Sequence, residues 1–344
     1  MDDQQYILDS ITKTLQLIHT NFTHNQPASL TLANRRNGSP TRTISFPGRT
    51  AHEAHQFASI LKIMDIIHDC ITTGTTITKR DVYYRHVSLF KSQSSVDRLV
   101  DDLAATFGVS RSCLHVVGAS KGMVYGAMTI RMRDGTSVRC DEVDNGGGVL
   151  IPTASLISSV DVPNEIRWCV VVEKDAVFKT ICSELRGFLK TRCVFVTGKG
   201  YPDVATRELS WRLATTMHRV KVVCLVDYDP DGYEILNTYR NGSRAMAHEA
   251  DLAANNIQCI GVKGAHLAEI IRLHGVNTGG GHIDLPTLSP RDRRKAHKML
   301  DRLAGDTEIC GELKRMLFVG VKAEIEAIDN LHNWLEHAVM TETL

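Results

Sequence analysis

The chain has 344 residues, 43% of them apolar and 23% charged, an ordinary globular composition with material for two domains and their cores. A formal net charge of +1 excludes bulk basicity as a reason to bind nucleic acid, so any such binding needs a local basic surface offset by acidic ones. The nine cysteines form no C-x-x-C pair, which argues against a thiolate zinc site and against a disulfide framework and points to a reducing compartment.

The opening MDDQQYILDS does not read as a signal peptide, and no apolar run approaches membrane-spanning length. A soluble intracellular protein is expected. Residues 3–20 place Ile7, Ile11, Leu15 and Ile18 at helical spacing. Asn21 to Thr50, with Asn-Gly, Ser-Pro and Pro-Gly breaks, reads as loop or linker. A helix is predicted from Ala51 to Cys70, with Phe57, Ile60, Leu61, Met64 and Ile67 on one face and Gly74 as its stop. Thr78 and Asp81 form a capping pair that opens a helix through KRDVYYRHVSLF. A further helix follows in SSVDRLVDDLAATFG, with Ser95 as candidate cap and Gly108 as stop. CLHVVGASKGMVYG and MTIRMRDGTSVRC read as strands, the latter folded into a hairpin at Asp134-Gly135. Helices followed by a hairpin suggest a winged helix; a generic α+β module with no DNA role fits the same pattern.

After the glycine-rich stretch Asp141–Gly148 the rhythm changes. Trp168–Val172, Cys193–Val196 and Val220–Val226 read as strands, and they alternate with helices over Asp175–Leu189, Asp203–His218 and Tyr233–Glu249. Such alternation predicts a parallel sheet covered by helices, and ligands collect at the carboxyl ends of such strands. Glu173 takes that place after the first strand and Asp227 after the third. In VDYDPDG, Asp227, Asp229 and Asp231 fall at alternate positions, where like charges repel unless a cation or a proton neutralises them. Hard oxygen donors suit Mg²⁺ or Mn²⁺. A Ca²⁺ loop requires Glu at its twelfth position, which here is Thr238, and is excluded. A plain acidic turn around Pro230 and Gly232 remains the alternative to a metal site.

KRDVYY, EKD, VTGKGYPDVATR and DYDPDG, in that order and joined downstream by LSPRDRRKAHKML and ELKRMLFVGVKAEIEAI, resemble the topoisomerase VI A subunits and their eukaryotic relatives, the meiotic double-strand-break transesterases. The resemblance covers roughly residues 45–328; the first 40 or so residues and the tail after Asp329 match no motif of that family. It implies an α/β plus α+β fold. An N-terminal helix and linker (1–45) would lead into a winged-helix domain carrying a nucleophilic tyrosine (46–148), followed by a Toprim domain with a mostly parallel, Rossmann-like sheet (149–330) and a tail (331–344). The family nucleophile falls on Tyr84 and its Mg²⁺ carboxylates on Glu173, Asp227 and Asp229, with Mn²⁺ as a substitute and Asp231 auxiliary. By the same resemblance Lys121, Lys199 and Tyr201 are candidates for DNA contact. The basic run Arg291, Arg293, Arg294, Lys295 and Lys298 reads mostly as a solvated helix face. The family also implies an active homodimer in which the tyrosine of one protomer works with the metal of the other. It further implies meiotic accessory proteins and a topoisomerase VI B-like subunit as partners, and residence in the nucleus on chromosomes.

The chemistry is coherent with these residue types. A phenol titrates near pH 10, so attack on a phosphodiester needs a base or a nearby cation. Arg80 lies four residues before Tyr84, on the same helix face, and can hold the scissile phosphate and favour the phenolate. Adjacent helical residues point about 100° apart, so one of Tyr83 and Tyr84 can be core while the other is exposed; periodicity does not say which. The expected function is tyrosine-mediated, Mg²⁺-dependent double-strand cleavage that leaves a 5′-phosphotyrosyl link and starts meiotic recombination. The cleavage subunit of a type IIB topoisomerase is the alternative, and a noncatalytic DNA-binding scaffold is a third reading. The joint presence of Tyr84, Glu173, Asp227 and Asp229 argues against the scaffold.

Overall fold

The computed structural model describes residues 3–33, 41–142, 147–242, 254, 256–267 and 285–341. The chain divides between Ala119 and Ser120 into two compact units. In the first, helix α1 (Asp3–Thr23) buries Ile7, Ile11 and Ile18. The expected linker after it instead contains two antiparallel strands, β1 (Ala28–Leu32) and β2 (Arg42–Phe46), with Leu30 opposite Ile44. The reason is alternation: in ASLTL every second residue is buried, and a two-faced strand outweighs the surrounding turn formers.

Helix α2 (Ala51–Thr73) is capped by the Thr50 side chain, which accepts from the Glu53 N–H, and it stops at Gly74, whose left-handed backbone lets its N–H reach the last carbonyls. Strand β3 (Ile77–Thr78) leads into α3 (Lys79–Arg85), capped by Thr78 as predicted. His86 breaks that helix, and α4 (Val87–Phe90) and α5 (Gln93–Phe107) follow. The cap of α5 is Ser92 rather than Ser95: the Ser92 hydroxyl accepts from the Ser95 N–H. Strand β4 (Val116–Val117) pairs in parallel with β3. One apolar core joins these elements, with Phe57, Ile60, Ile63, Val82, Phe90 and Leu103 at its centre.

The second unit begins with β5 (Met123–Tyr125), β6 (Thr129–Met132), β7 (Ser137–Arg139), β8 (Val149–Leu150) and β9 (Ile157–Asp161). Then come β10 (Trp168–Val172), α6 (Asp175–Ser183), α7 (Gly187–Arg192), β11 (Cys193–Thr197), α8 (Val204–Thr216), β12 (Lys221–Leu225), α9 (Pro230–Asn241) and β13 (Gln258–Cys259). Helices α10 (Pro290–Arg302), α11 (Thr307–Val319) and α12 (Leu331–Thr341) complete it. Six strands form one sheet in the order β13-β12-β10-β11-β5-β8. Its first four strands are parallel, while β5 and β8 add antiparallel. The Asp134-Gly135 hairpin forms between β6 and β7, with β9 as third strand. The sequence groups this hairpin with the helical domain; it packs in the second unit because β5, just before it, pairs with β11.

Every residue of β10 is buried, with Cys169 and Val171 in one core and Trp168, Val170 and Val172 in another, as in a sheet covered on both faces. The helix expected over Asp175–Leu189 is interrupted between α6 and α7. The helix expected over Tyr233–Glu249 is α9 as far as Asn241; residues 243–249 lie outside the described residues. In the stretch expected to connect the domains, residues 143–146 also lie outside them, whereas Gly148 is tightly packed: a Cβ there would meet the Phe178 ring at 2.9 Å. All nine cysteines are free, and burial pushes the Cys140 and Cys169 thiols up to about 12. No helix among the described residues is long and apolar enough to cross a membrane.

Candidate active site

The register of the sheet sets its acidic end. Val172 of β10 lies level with Thr197 of β11 and Leu225 of β12, so the loops after these strands emerge together. Glu173 ties them: its N–H donates to the Leu225 carbonyl (3.1 Å), and its carbonyl accepts from the Gly200 N–H (2.8 Å). Its side-chain Oε2 accepts from the Asp227 N–H at 3.0 Å. Burial and the Asp227 charge push the Glu173 carboxyl up to about 8, against the pull of that hydrogen bond.

Asp227 is buried, 5% exposed. Its Oδ1 accepts from the Ile325 N–H (2.9 Å) and its Oδ2 lies 3.0 Å from the Lys174 ammonium. Burial raises its pKa, while the Ile325 N–H and Lys174 pull the other way. Asp229 caps α9, its Oδ1 accepting from the Gly232 N–H at 2.7 Å, and Pro230 occupies the first turn. Burial raises Asp229 as well. Gly232 permits this approach of helix to strand end, since a Cβ would lie 2.5 Å from the Asp227 carbonyl oxygen and 3.2 Å from Glu173 Oε2. Lys174 also reaches Glu324 (3.2 Å) and Glu326 (2.7 Å), neither of which is singled out by the sequence.

The carboxyls of Glu173, Asp227 and Asp229 thus all have raised pKa values, and crowded carboxylates of this kind are neutralised by a proton or a cation. Hard oxygen donors of this kind suit Mg²⁺ in charge and chemistry. Among the described residues, no group of three or more acidic, histidine or cysteine side chains is placed to hold a metal ion. That is compatible with a cation that keeps several of its waters and takes only one or two protein carboxylates.

At the rim, Lys199 has a left-handed backbone (φ 52°), and its ammonium lies 3.5 Å from Asp175. The Lys121 ammonium donates to the Lys199 carbonyl (3.3 Å), and the Lys121 and Gly122 N–H groups donate to Asp203, the cap of α8. Tyr201 is 43% exposed, and its hydroxyl lies 3.2 Å from Asp231 Oδ1. Lys295 donates to that hydroxyl at 2.6 Å, pairs with Asp231 and covers the tyrosine ring. Although burial opposes it, Lys295 together with Tyr201 holds Asp231 below its ordinary range. The sequence alone merges Lys295 into a solvated face. The signal for it is spacing, because Asp292, Ala296 and Met299 mark the buried face of α10 and Lys295 flanks it, whereas Arg291, Arg293, Arg294 and Lys298 are exposed as expected.

In the first unit α3 is fixed by its first residue and its buried face. Val82 is fully buried. Lys79 pairs with Asp101 of α5 at 2.8 Å, and Asp101 pairs with Arg111 at 2.8 Å. Tyr83 packs against the core, whereas Tyr84 is 59% exposed. Arg80 Nη2 donates to the Tyr84 hydroxyl at 3.4 Å, and its guanidinium lies 5.6 Å from the ring centroid. The exposed phenol is thus the second of the pair, accompanied by a cation one turn earlier.

A parallel sheet that gathers Glu173 and Asp227 at adjacent strand ends is the arrangement of a Toprim domain, and residues 168–339 match the Toprim-domain family of Spo11 and the A subunit of topoisomerase 6. Residues 55–116 match the family described as "Type IIB DNA topoisomerase". Among similar proteins is the meiotic recombination protein rec12 of Schizosaccharomyces pombe, 31% identical over 297 residues, covering 86% of this chain and 79% of that protein. The human meiotic recombination protein SPO11 is 29% identical over 343 residues, covering 94% of this chain and 83% of its own. The A3 subunit of DNA topoisomerase 6 from Oryza sativa subsp. indica is 34% identical over 207 residues, covering 60% of this chain and 46% of its own. The chain belongs to the Spo11/topoisomerase 6 A-subunit family.

Proposed function

We propose that this protein is a topoisomerase-like DNA transesterase that makes the double-strand breaks opening meiotic recombination. The observation that carries the reading is the exposed Tyr84 with Arg80 at its hydroxyl, within the stretch matched to type IIB topoisomerases; the meiotic names of the relatives supply the biological setting. Arg80 stabilises phenolate character and holds a phosphate oxygen. The phenolic oxygen of Tyr84 attacks phosphorus, a tyrosyl–phosphate bond forms at the 5′ end, and the bond to the 3′ oxygen breaks. The phenol gives up its proton to solvent or a base, and the departing 3′ oxygen gains one. Phosphodiester bond energy is conserved in the adduct.

One or two of Glu173, Asp227 and Asp229 would hold Mg²⁺ or Mn²⁺ directly and the rest through its waters, and the ion when bound supplies positive charge beside a phosphate oxygen. Lys121, Lys199 and Tyr201 contact DNA, and Lys295 keeps Tyr201 oriented. The helices α3 to α5 act as the DNA-facing part of a winged-helix module in the first unit, with the second unit as its metal-binding counterpart. The active species is a homodimer, working in the nucleus on chromosomes with accessory proteins and a B-like subunit. A cleavage subunit that also reseals DNA is the second reading, favoured by the similarity to the rice topoisomerase 6 protein.

The test is denaturing detection of protein covalently attached to DNA, with partners and Mg²⁺ or Mn²⁺ present. Wild type and Tyr83→Phe form the adduct and Tyr84→Phe does not. An adduct that persists in Tyr84→Phe rejects the assignment.

A further inference from the structure

A cavity of about 690 Å³ opens on the second unit at the end of the sheet opposite Glu173 and Asp227. Arg167 and Trp168 stand at the start of β10, Lys221 starts β12 and Arg192 ends α7, and all four line it. The five residues of β10 separate this end from Glu173, a span of roughly 16 Å at strand rise. Arg219 adds a fourth cation, while Phe188 and Met340 complete the apolar lining. Among the described residues no carboxylate lines it.

Backbone pairing places the cations side by side. The Arg167 N–H donates to the Arg192 carbonyl (2.9 Å), and the Lys221 N–H donates to the Arg167 carbonyl (2.8 Å). Like charges on neighbouring strands are destabilising, which a bound anionic group would relieve. Two guanidiniums are held in place by neutral groups: Arg192 donates to the Glu165 carbonyl at 3.3 Å and Arg219 to the Val162 carbonyl. Those bonds fix direction and leave the charge intact. The Lys221 ammonium lies 5.3 Å from the centroid of the buried Trp168 ring, so the floor is aromatic and the rim cationic.

We propose that this cavity is a docking site for an acidic segment of a partner protein that carries an aromatic or aliphatic anchor residue. The anchor fits against Phe188 and Met340, and its flanking carboxylates meet Arg167, Arg192 and Arg219 in the fork geometry that guanidinium offers. Met, aromatic residues and Arg are the side chains enriched at protein interfaces. A nucleotide is the poorer fit, because no Ser, Thr, Asn or Gln side chain among the described residues lines the cavity to read a base edge or a sugar.

The probe is a fluorescein-labelled peptide, Asp-Glu-Asp-Phe-Glu-Glu-Leu-Asp, titrated against the full chain by fluorescence anisotropy. Saturable binding is expected. Arg167→Glu and Arg219→Glu, both at exposed positions, should each weaken it by roughly tenfold or more, the scale of a close charge pair turned repulsive. Replacing the peptide's Phe by Ser should weaken it as well. Unchanged thermal unfolding of the two variants shows that the fold is kept. No saturable binding, or binding indifferent to charge reversal in variants that fold normally, overturns the proposal. Displacement of the peptide by ATP or short duplex DNA at equal or lower concentration also overturns it and makes the cavity a phosphate site.

Discussion

Glu173 is the residue on which the acidic end turns. Its carboxyl is pushed up to about 8 by burial and by Asp227, from an ordinary value of 4.5. A carboxyl with a raised folded-state pKa stabilises the fold fully below its unfolded pKa, and that contribution is lost as pH rises through the folded value. Without metal, the protein should therefore lose stability between about pH 4.5 and 8. In EDTA, thermal midpoints of wild type should decline across this window more than those of Glu173→Gln, whose side chain cannot ionise. Mg²⁺ should restore the midpoint most at and above pH 8, where the competing proton is being lost. Parallel declines in the two proteins would reject this account. That Glu173 and Asp227 meet is legible from two strand ends of one parallel sheet. That Lys174 pairs with Asp227, and that Glu324 and Glu326 join it, is not, because those contacts join segments far apart in the chain with no local pattern.

At the scale of elements, the close approach of α9 to β12 depends on Gly232. A helical Gly→Ala change ordinarily stabilises by up to about 1 kcal/mol. Here the new Cβ would fall 2.5 Å from the Asp227 carbonyl oxygen, a backbone atom that cannot swing aside, and overpacking of this kind costs about 1–3 kcal/mol. Gly232→Ala should accordingly lower the urea midpoint of the second unit, and a raised midpoint would show that the strand end yields. The strands β10, β11 and β12 are readable because short apolar, β-branched runs are bounded by polar turns. By contrast β1 and β2 escape notice: the alternation of β1 is carried by Ser and Thr between the buried Ala28, Leu30 and Leu32, so the turn-forming neighbours dominate. The β6–β7 hairpin is visible from Asp134-Gly135, yet its third strand, β9, is a non-local partner and leaves no trace in the hairpin's own residues.

For the whole molecule, the exposed Tyr84 and the carboxylates of the Toprim sheet belong to different compact units of one chain. The proposed dimer joins the tyrosine of one protomer to the metal carboxylates of its partner, and this arrangement has a distinctive genetic signature. In a mixed dimer of Tyr84→Phe and Glu173→Ala protomers, trans pairing brings the intact tyrosine of the second protomer to the intact Glu173 of the first. The other site carries both defects. One strand of the duplex is then cut, so mixed dimers should yield nicked DNA bearing a single covalent protein, while each homodimer yields nothing. Cis pairing leaves one defect in each site and predicts no product. The experiment uses differently tagged protomers and tandem purification, so that mixed dimers are isolated before DNA, partners and Mg²⁺ are added. Nicks without double-strand breaks support the trans arrangement. Silence from verified, DNA-bound mixed dimers, beside active wild-type dimers carrying the same tags, rejects it.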